Sequence, residues 1–525
     1  MTDIKNNDKD FVPCRAETES EMRCMSPEGV LCECAGDFTL PDYMPEIAKM
    51  LICTPRLVPA GKYIGSERAE YSGSVVYSVV YTGEDGVPFY TTLTGDYEYS
   101  VPLGDAASSP RIEIFDEPVI ESVSVRASGP RRISARARIS AAPSVLYERE
   151  SALQSFSDEP DMHYQTLTSQ LSSVEQGHFE SGEFTLEEAF GIDASPDAEF
   201  VGCEGSAAVA EVSVAGDSVR CRGEVECRII YYDIDRGRRR LMSEKKKFRF
   251  EREMSLGTLR DIVGIRAYAK VISCDISRTE GVDMLCEMSL CISVDYAMSR
   301  GREFLRDIYS CTHSTEAEYE KSSCRKDVLC KNANFSYHGQ AQLPNNISRD
   351  GFVYYCCPSV KIGECGVSEA GASVCGDITV ECLVGCDADG ECEYAVCPIR
   401  IPFRCEMPVS NLAEKYEMRA HADVLGVRVR VDGENVMADA ELYLSMFVTG
   451  EDFIRCVSSI ESSGECEPRA QDEILVYYPD KDETLWSVSK KYRAALSTVA
   501  KTNGLSENSP DDPSSLDGAG PLIIV

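Results

Sequence analysis

The chain reads as a mainly β protein: three tandem β domains of similar build, then a small unit of strand, helix, helix and strand. Three observations predict this. The first is one strand written three times: Gly73, Val75, Tyr77, Val79, Tyr81 into a turn at Glu84-Asp85-Gly86; Gly223, Val225, Cys227, Ile229, Tyr231 into Asp235-Arg236-Gly237; and Gly376, Ile378, Val380, Cys382, Val384 into Asp387-Ala388-Asp389-Gly390. Apolar residues at every second position, closed by an acidic turn with glycine, mark a half-buried strand entering a hairpin. Residues at even offsets from each glycine then face the core, Val79, Ile229 and Cys382 among them.

The second observation is another landmark with the same interval of roughly 150 residues, a domain-sized period. Val123-Ser124-Val125-Arg126 precedes Gly129, Asp275-Ile276-Ser277-Arg278 precedes Gly281, and Val427-Arg428-Val429-Arg430 precedes Gly433. Each leads into a further alternating strand. The third is a change of period near the end, where Leu485, Val488 and Tyr492 recur at helical spacing.

In order, residues 1–30 are a polar lead-in with room for one strand. The first repeat spans 31–148. Its corner, Leu40-Pro41-Asp42-Tyr43-Met44-Pro45-Glu46-Ile47, excludes a helix before Pro45, and Ile47 to Leu51 suits a short helical segment. Residues 149–181 are a linker or shared element, in which Leu167, Leu171 and Val174 form one face of a short helix or a strand end. The second repeat, 182–300, opens with Gly182-Glu183-Phe184-Thr185-Leu186, close to Gly36-Asp37-Phe38-Thr39-Leu40 of the first. Residues 301–331 are again a linker or shared element. The third repeat, 332–450, keeps Gln342-Leu343-Pro344 at its opening.

Residues 451–472 are expected to be a linker, since Glu461-Ser462-Ser463-Gly464-Glu465-Cys466-Glu467-Pro468-Arg469 is too polar to pack. The last unit, 473–525, has a strand at Ile474 to Tyr478 and a turn at Pro479-Asp480-Lys481-Asp482. A helix on Leu485, Val488 and Tyr492 follows, then a second on Leu496, Val499 and Ala500 ending near Asn503-Gly504, and a final strand at Leu522 to Val525.

Composition narrows the function. With 53 basic and 88 acidic residues the net charge is −35, which disfavours nonspecific attraction to nucleic acid or to an anionic membrane. The first ten residues lack an apolar leader segment and no later run approaches a membrane span, so a cytoplasmic protein is expected. The 25 cysteines belong to a reducing compartment, and their odd number cannot pair completely. No Cys-x-x-Cys pair occurs, only Cys32-x-Cys34, adjacent Cys356-Cys357 and looser spacings such as Cys382 to Cys386, so no metal site is expected. Cys227 stands where the other repeats have Tyr77 and Val380, and Cys382 where they have Val79 and Ile229, which makes both small core hydrophobes. Oxidative cross-linking of exposed cysteines is the other reading.

One basic cluster stands out: Arg236, Arg238, Arg239, Arg240, Lys245, Lys246 and Lys247. It reads as a solvated hairpin tip balancing nearby acids, or as a contact for an acidic partner or membrane surface. No aromatic platform interleaves with it, as nucleic-acid recognition would want. His163, His178, His313, His338 and His421 have no metal-binding spacing and read as ordinary surface or core residues. There is no phosphate loop and no nucleophile elbow, and the acids Glu84-Asp85, Asp233, Asp235, Asp387 and Asp389 sit in turns. Neither an enzyme nor a bound cofactor is expected.

Thr484-Leu485-Trp486-Ser487-Val488-Ser489-Lys490-Lys491-Tyr492, with Asn503 eleven residues on, resembles the LysM domain over Ile474 to Val525. Glycan-binding LysM domains hold N-acetylglucosamine chains between two loops. The resemblance implies a glycan or partner surface at Asp482, Glu483, Thr484, Leu485, Asn503, Gly504 and Leu505, with Trp486, Val488 and Tyr492 structural. Trp486 is expected at the base of the helix pair. The family's Gly-Asp before Thr-Leu-Trp is replaced by Asp482-Glu483, with Asp482 placed to cap the first helix. The stretch from Ser506 to Ala519 is longer than usual. Both departures fall where sugar would bind.

The repeats, with the Leu-Pro-Asp-x-x-Pro-Glu-Ile corner at Leu40 to Ile47, resemble the SPOCS domains of spore-coat assembly proteins of the SipL type, which end in a LysM domain. The resemblance implies a scaffold or adaptor of the endospore coat, made in the mother cell and recruited to the forespore surface. Its partners would be other coat morphogenetic proteins, among them the ATPase of the coat basement layer. The alternative is a peptidoglycan-binding protein of the cortex or wall.

Overall fold

The computed structural model describes residues 16–156, 162–195, 197–235, 238–255, 257, 260–278, 283–388, 391–410, 412–466, 474–516 and 520–524. The chain is mainly β. A first set of strands comprises β1 (Ala16–Met25), β2 (Val30–Thr39), β3 (Lys49–Ile64), β4 (Arg68–Thr82), β5 (Pro88–Pro102), β6 (Ile112–Phe115), β7 (Val119–Gly129), β8 (Arg132–Ala141) and β9 (Ser144–Phe156). A second comprises β10 (Tyr164–Glu180), β11 (Phe184–Gly191), β12 (Glu199–Ala215), β13 (Ser218–Asp235), β14 (Arg238–Ser255), β15 (Ile262–Arg278) and β16 (Asp283–Ser310). A third comprises β17 (His313–Gln342), β18 (Phe352–Ser368), β19 (Gly371–Ala388), β20 (Glu391–Met407), β21 (Lys415–Asp432) and β22 (Asn435–Glu465). The chain closes with β23 (Leu475–Tyr477), α1 (Leu485–Tyr492), α2 (Leu496–Asn503) and β24 (Leu522–Ile524).

Each set contains a three-stranded antiparallel sheet in chain order, β3-β4-β5, β12-β13-β14 and β18-β19-β20. Each also has a sheet whose central strand comes last or nearly last: β2-β8-β7, β17-β22-β21, and β16 flanked by β15 on one edge and by β10 and β11 on the other. The two sheets of a set face each other. Val75, Tyr77 and Val79 pack towards Ile133, Ala135 and Ala137; Val225, Cys227 and Ile229 towards Cys286, Met288 and Leu290; Ile378, Val380 and Cys382 towards Ala438, Ala440 and Leu442.

The leading glycine of each repeated strand has a steric cause. Gly73 pairs with Tyr97, Gly223 with Phe250 and Gly376 with Phe403. A Cβ on any of the three would overlap that ring and the carbonyl oxygen of Val58, Ala208 or Lys361 on the other neighbouring strand. Each of those carbonyls sits beside a register shift, at Pro59/Gly61, Val209/Glu211 and Ile362/Cys365. The glycine gives the ring and the bulge their room.

The even-offset residues of all three strands are buried, as the alternation requires. The other face is not left to water. Val80, Ile230 and Leu383, each seven residues beyond its glycine, are also fully buried and belong to one apolar cluster spanning the three sets. The sets therefore pack on one another through faces that a half-buried strand would expose.

Other expectations are corrected. Ile47 to Leu51 is not helical: β3 begins at Lys49, and Lys49 and Met50 pair with Thr82 and Tyr81. The stretch after Gly450 is no linker as far as Glu465, because β22 continues there paired to β17. It buries residues on both faces, Cys456 against Phe304 on one and Val457 and Ile460 against Leu305 and Ile308 on the other. Residues 301–331 hold the end of β16 and the start of β17, and 149–181 the end of β9 and all of β10. Residues 1–15, Arg236-Gly237, Gly281, Asp389-Gly390, 467–473 and Val525, to which the lead-in, turns, linker and strand end were assigned, lie outside the described residues.

Candidate functional site

The terminal unit is built on a small apolar core of Leu485, Val488, Ala494, Val499, Ala500, Leu516, Leu522 and Ile524. Helix α1 is capped by Thr484, not Asp482. Thr484 Oγ1 accepts the Ser487 amide at 3.1 Å and Ser487 Oγ accepts the Thr484 amide at 2.9 Å, a reciprocal box. Asp482 is exposed. Glu483 accepts from the Asp480 amide at 3.0 Å and the Tyr477 hydroxyl at 2.6 Å, and pairs with Lys491 at 3.1 Å. Tyr492 meets the Tyr477 ring edge-on at 5.1 Å.

The remaining residues of the expected glycan surface have structural tasks. The Leu485 amide donates to Ser515 Oγ at 3.0 Å and the Trp486 amide to the Pro510 carbonyl at 2.8 Å. The segment beyond α2 thus folds back over the start of α1 and takes up its first free donors. Asn503 Nδ2 donates to the Val499 and Ile523 carbonyls, both at 2.8 Å, while its Oδ1 accepts the Ile523 amide at 2.7 Å. Gly504 ends α2 in the left-handed conformation, φ 67°, and the Leu505 amide closes on the Ala500 carbonyl at 2.9 Å.

Trp486 is buried, but not in the core of its own unit. Its indole packs with Leu167 and meets the Tyr309 ring edge-on at 5.1 Å, while Nε1–H donates to Asp307 Oδ2 at 2.8 Å. Around it, Lys490 pairs with Asp307 Oδ1 at 2.5 Å, the Tyr309 hydroxyl donates to the Ala494 carbonyl at 2.8 Å, and the Leu496 amide donates to Gln165 Oε1 at 3.1 Å. Arg306 pairs with Asp511. Burial works against the Asp307 charge, yet Lys490, the indole and the Tyr319 hydroxyl outweigh it and hold the carboxyl below its usual range. The docking residues Asp307 and Tyr309 lie in 301–331, the polar stretch expected to be a linker or shared element.

One face of the β23–β24 ladder is apolar and open. Ile474, Val476 and Tyr478 are 67, 53 and 73% exposed, and Ile523, paired with Val476 across the β23–β24 ladder, is 39% exposed.

Two polar junctions tie the sets together. Arg266 is fully buried; its guanidinium donates to Asp295 Oδ2 at 2.7 Å, to Glu117 Oε1 at 2.8 Å, and to the carbonyls of Ser445 and Arg419 at 3.2 and 3.3 Å. His178 Nδ1 lies 2.8 Å from Asp295, and His421 lies 3.4 Å from Glu117 and 3.1 Å from Asp423. Burial would discharge His421, but Asp423 and Glu117 raise its pKa to about 10. In the second junction Glu204 pairs with Arg228 and accepts the hydroxyls of Tyr355 at 2.9 Å and Tyr90 at 3.2 Å, one from each neighbouring set. Glu226 and Arg228, which alternation places on a solvent face, are buried.

The basic cluster is drawn into the body. Lys245 donates to the Val427 carbonyl at 3.1 Å, Lys247 pairs with Glu224 at 2.5 Å and Glu441 at 2.6 Å, Lys246 with Glu244 at 2.6 Å, and Arg239 with Glu199. Among the described residues no helix is long and apolar enough to cross a membrane. Comparison with known proteins finds no match: no family model, no curated protein and no solved structure is similar to this chain.

Proposed function

We propose that the chain is a non-enzymatic scaffold or adaptor of the endospore coat, built of three SPOCS-like domains and a LysM domain. It acts in the mother cell and is recruited to the forespore surface. The observation that carries this reading is the open apolar stripe of Ile474, Val476, Tyr478 and Ile523. A contiguous apolar surface on a strongly acidic chain suits a protein partner. The partner, by resemblance, is another coat morphogenetic protein such as the basement-layer ATPase. The Thr484-Leu485-Trp486 motif and the common glycine–aromatic pairing of the three sheets support the domain reading.

Peptidoglycan binding is the less favoured reading. The amides of Leu485 and Trp486, at the start of α1, and the side chain of Asn503, at the end of α2, border the two loops that hold glycan in that family and are engaged internally. A fluorescent fusion imaged during sporulation tests the proposal: a ring around the forespore is expected, lost in Val476→Asp/Tyr478→Asp. Uniform fluorescence, or co-sedimentation of the full chain with purified peptidoglycan undiminished in that variant, would count for the alternative.

A further inference from the structure

Inside the second set, four strands bring four cysteines to one place. Cys203 comes from β12, Cys227 from β13, Cys274 from β15 and Cys286 from β16. The sulfurs of Cys227, Cys274 and Cys286 all lie within 4.8 Å of one another, and Cys227 and Cys274 are 3.8 Å apart. Cys203 Sγ sits 2.9 Å from the Cys274 carbonyl oxygen, on the rim of the same group. The cluster bridges the two facing sheets, two thiols from each.

The spacing fits a specific occupant. Thiolates at about 2.3 Å from a tetrahedral zinc are separated by about 3.8 Å, the edge of that tetrahedron. The Cys227–Cys274 separation is that edge, and bringing Cys286 to the same distance from both needs a shift of about an ångström or less, with Cys203 turning in from the Cys274 carbonyl as the fourth. Gly205 leaves the thiols their space, since a Cβ there would stand 3.0 Å from Cys274 Cβ and 2.9 Å from the Met288 methyl. A purely apolar filling was open to this position, because the equivalent residues of the other sets are Tyr77 and Val380.

Charge balance is also provided. Arg56 reaches across from β3 of the first set, donates to the Val271 carbonyl at 3.2 Å, and lies near enough to Cys274 and Cys203 to feel both thiols. The thiols release their protons to water as they coordinate.

We propose that Cys227, Cys274 and Cys286, with Cys203 as fourth ligand, bind one structural zinc ion that clamps the two sheets of the second set. A soft, closed, all-thiolate donor set selects zinc over magnesium or calcium. The site is independent of the coat reading, as it concerns the folding of this set alone.

The full chain, purified anaerobically and reconstituted with zinc alone, should carry one tightly held zinc per chain by mass spectrometry. Cys274→Ser/Cys286→Ser should lose at least nine-tenths of it, about a tenfold change, while Cys365→Ser at an exposed cysteine keeps it. Should the double variant fail to fold, cobalt added to the zinc-free wild type still decides. Intense thiolate charge-transfer and tetrahedral d–d bands are expected, abolished by stoichiometric zinc. Absence of those bands, zinc content unchanged in the folded double variant, or a stoichiometric Cys227–Cys274 disulfide in the anaerobic chain would overturn the proposal.

Discussion

The indole N–H of Trp486 donates to Asp307 Oδ2 at 2.8 Å, joining the single tryptophan of the chain to the far end of β16. Asp307 also holds the Lys490 ammonium. Asp307→Ala leaves both donors without this acceptor and should weaken the seam by about 1.5–3 kcal/mol, the range for hydrogen bonds to a charged group. Because fluorescence reports one indole, the check is direct: a red-shifted emission and stronger iodide quenching are expected. An unchanged spectrum would show that the seam does not hold Trp486.

Gly73→Ala, Gly223→Ala and Gly376→Ala should each destabilise the chain by about 1–3 kcal/mol, as overpacking does. The control is Gly301→Ala, where a Cβ meets nothing within 4 Å. Urea denaturation compares the four. A cost confined to one of the three glycines would argue against a shared steric cause.

Arg266→Met removes the central cation of a buried cluster, leaving Asp295 to His178 and Arg419 and Glu117 to His421 alone. Breaking such a pair on one side costs about 3–5 kcal/mol. The same change cuts the guanidinium bonds to the Ser445 and Arg419 carbonyls of the third set, so hydrogen exchange should rise at β15 and β21 together. Exchange rising in β15 alone would show that Arg266 does not couple the sets.

His421 predicts a pH slope. Its folded pKa, about 10, lies above the ordinary 6.5, so the stability it lends is complete below pH 6.5 and drains away as pH rises through 10. Each tenfold gain in proton affinity on folding is worth about 1.4 kcal/mol, so the loss across this window amounts to a few kcal/mol. The urea midpoint should fall over that window, and His421→Gln should flatten the fall. Equal slopes in both chains would refute the assignment.

The strands were legible because their information is local. Alternation from Gly73, Gly223 and Gly376 names the inward residues, and those residues are buried. What sequence could not show is which outward faces meet another set. Glu226 and Arg228 look like solvent residues; the Gly426 amide, 200 positions on, donates to Glu226, and Arg228 pairs with Glu204 and reaches Cys357 of the third set, which makes their burial tolerable. The cysteine cluster escaped for the same reason, since its members are spread from 203 to 286 with no short spacing. The polarity after Gly450 concealed a strand because its buried residues, Cys456, Val457 and Ile460, fall across a register shift and do not alternate. Asp307 carries no local mark of contact with Trp486.

Each set begins and ends at one place: Ala16 lies opposite Phe156, Tyr164 opposite Ser310, and His313 opposite Glu465. The first strand of a set therefore waits for the last one made. During synthesis β17, 30 residues long, emerges with no strand to pair along its length until β22 leaves the ribosome. Such non-local closure is slow and leaves a long edge open to neighbouring chains meanwhile. A nonsense mutation early in β22 should thus give an aggregating product, whereas a stop codon between β16 and β17 leaves two closed sets with no strand missing.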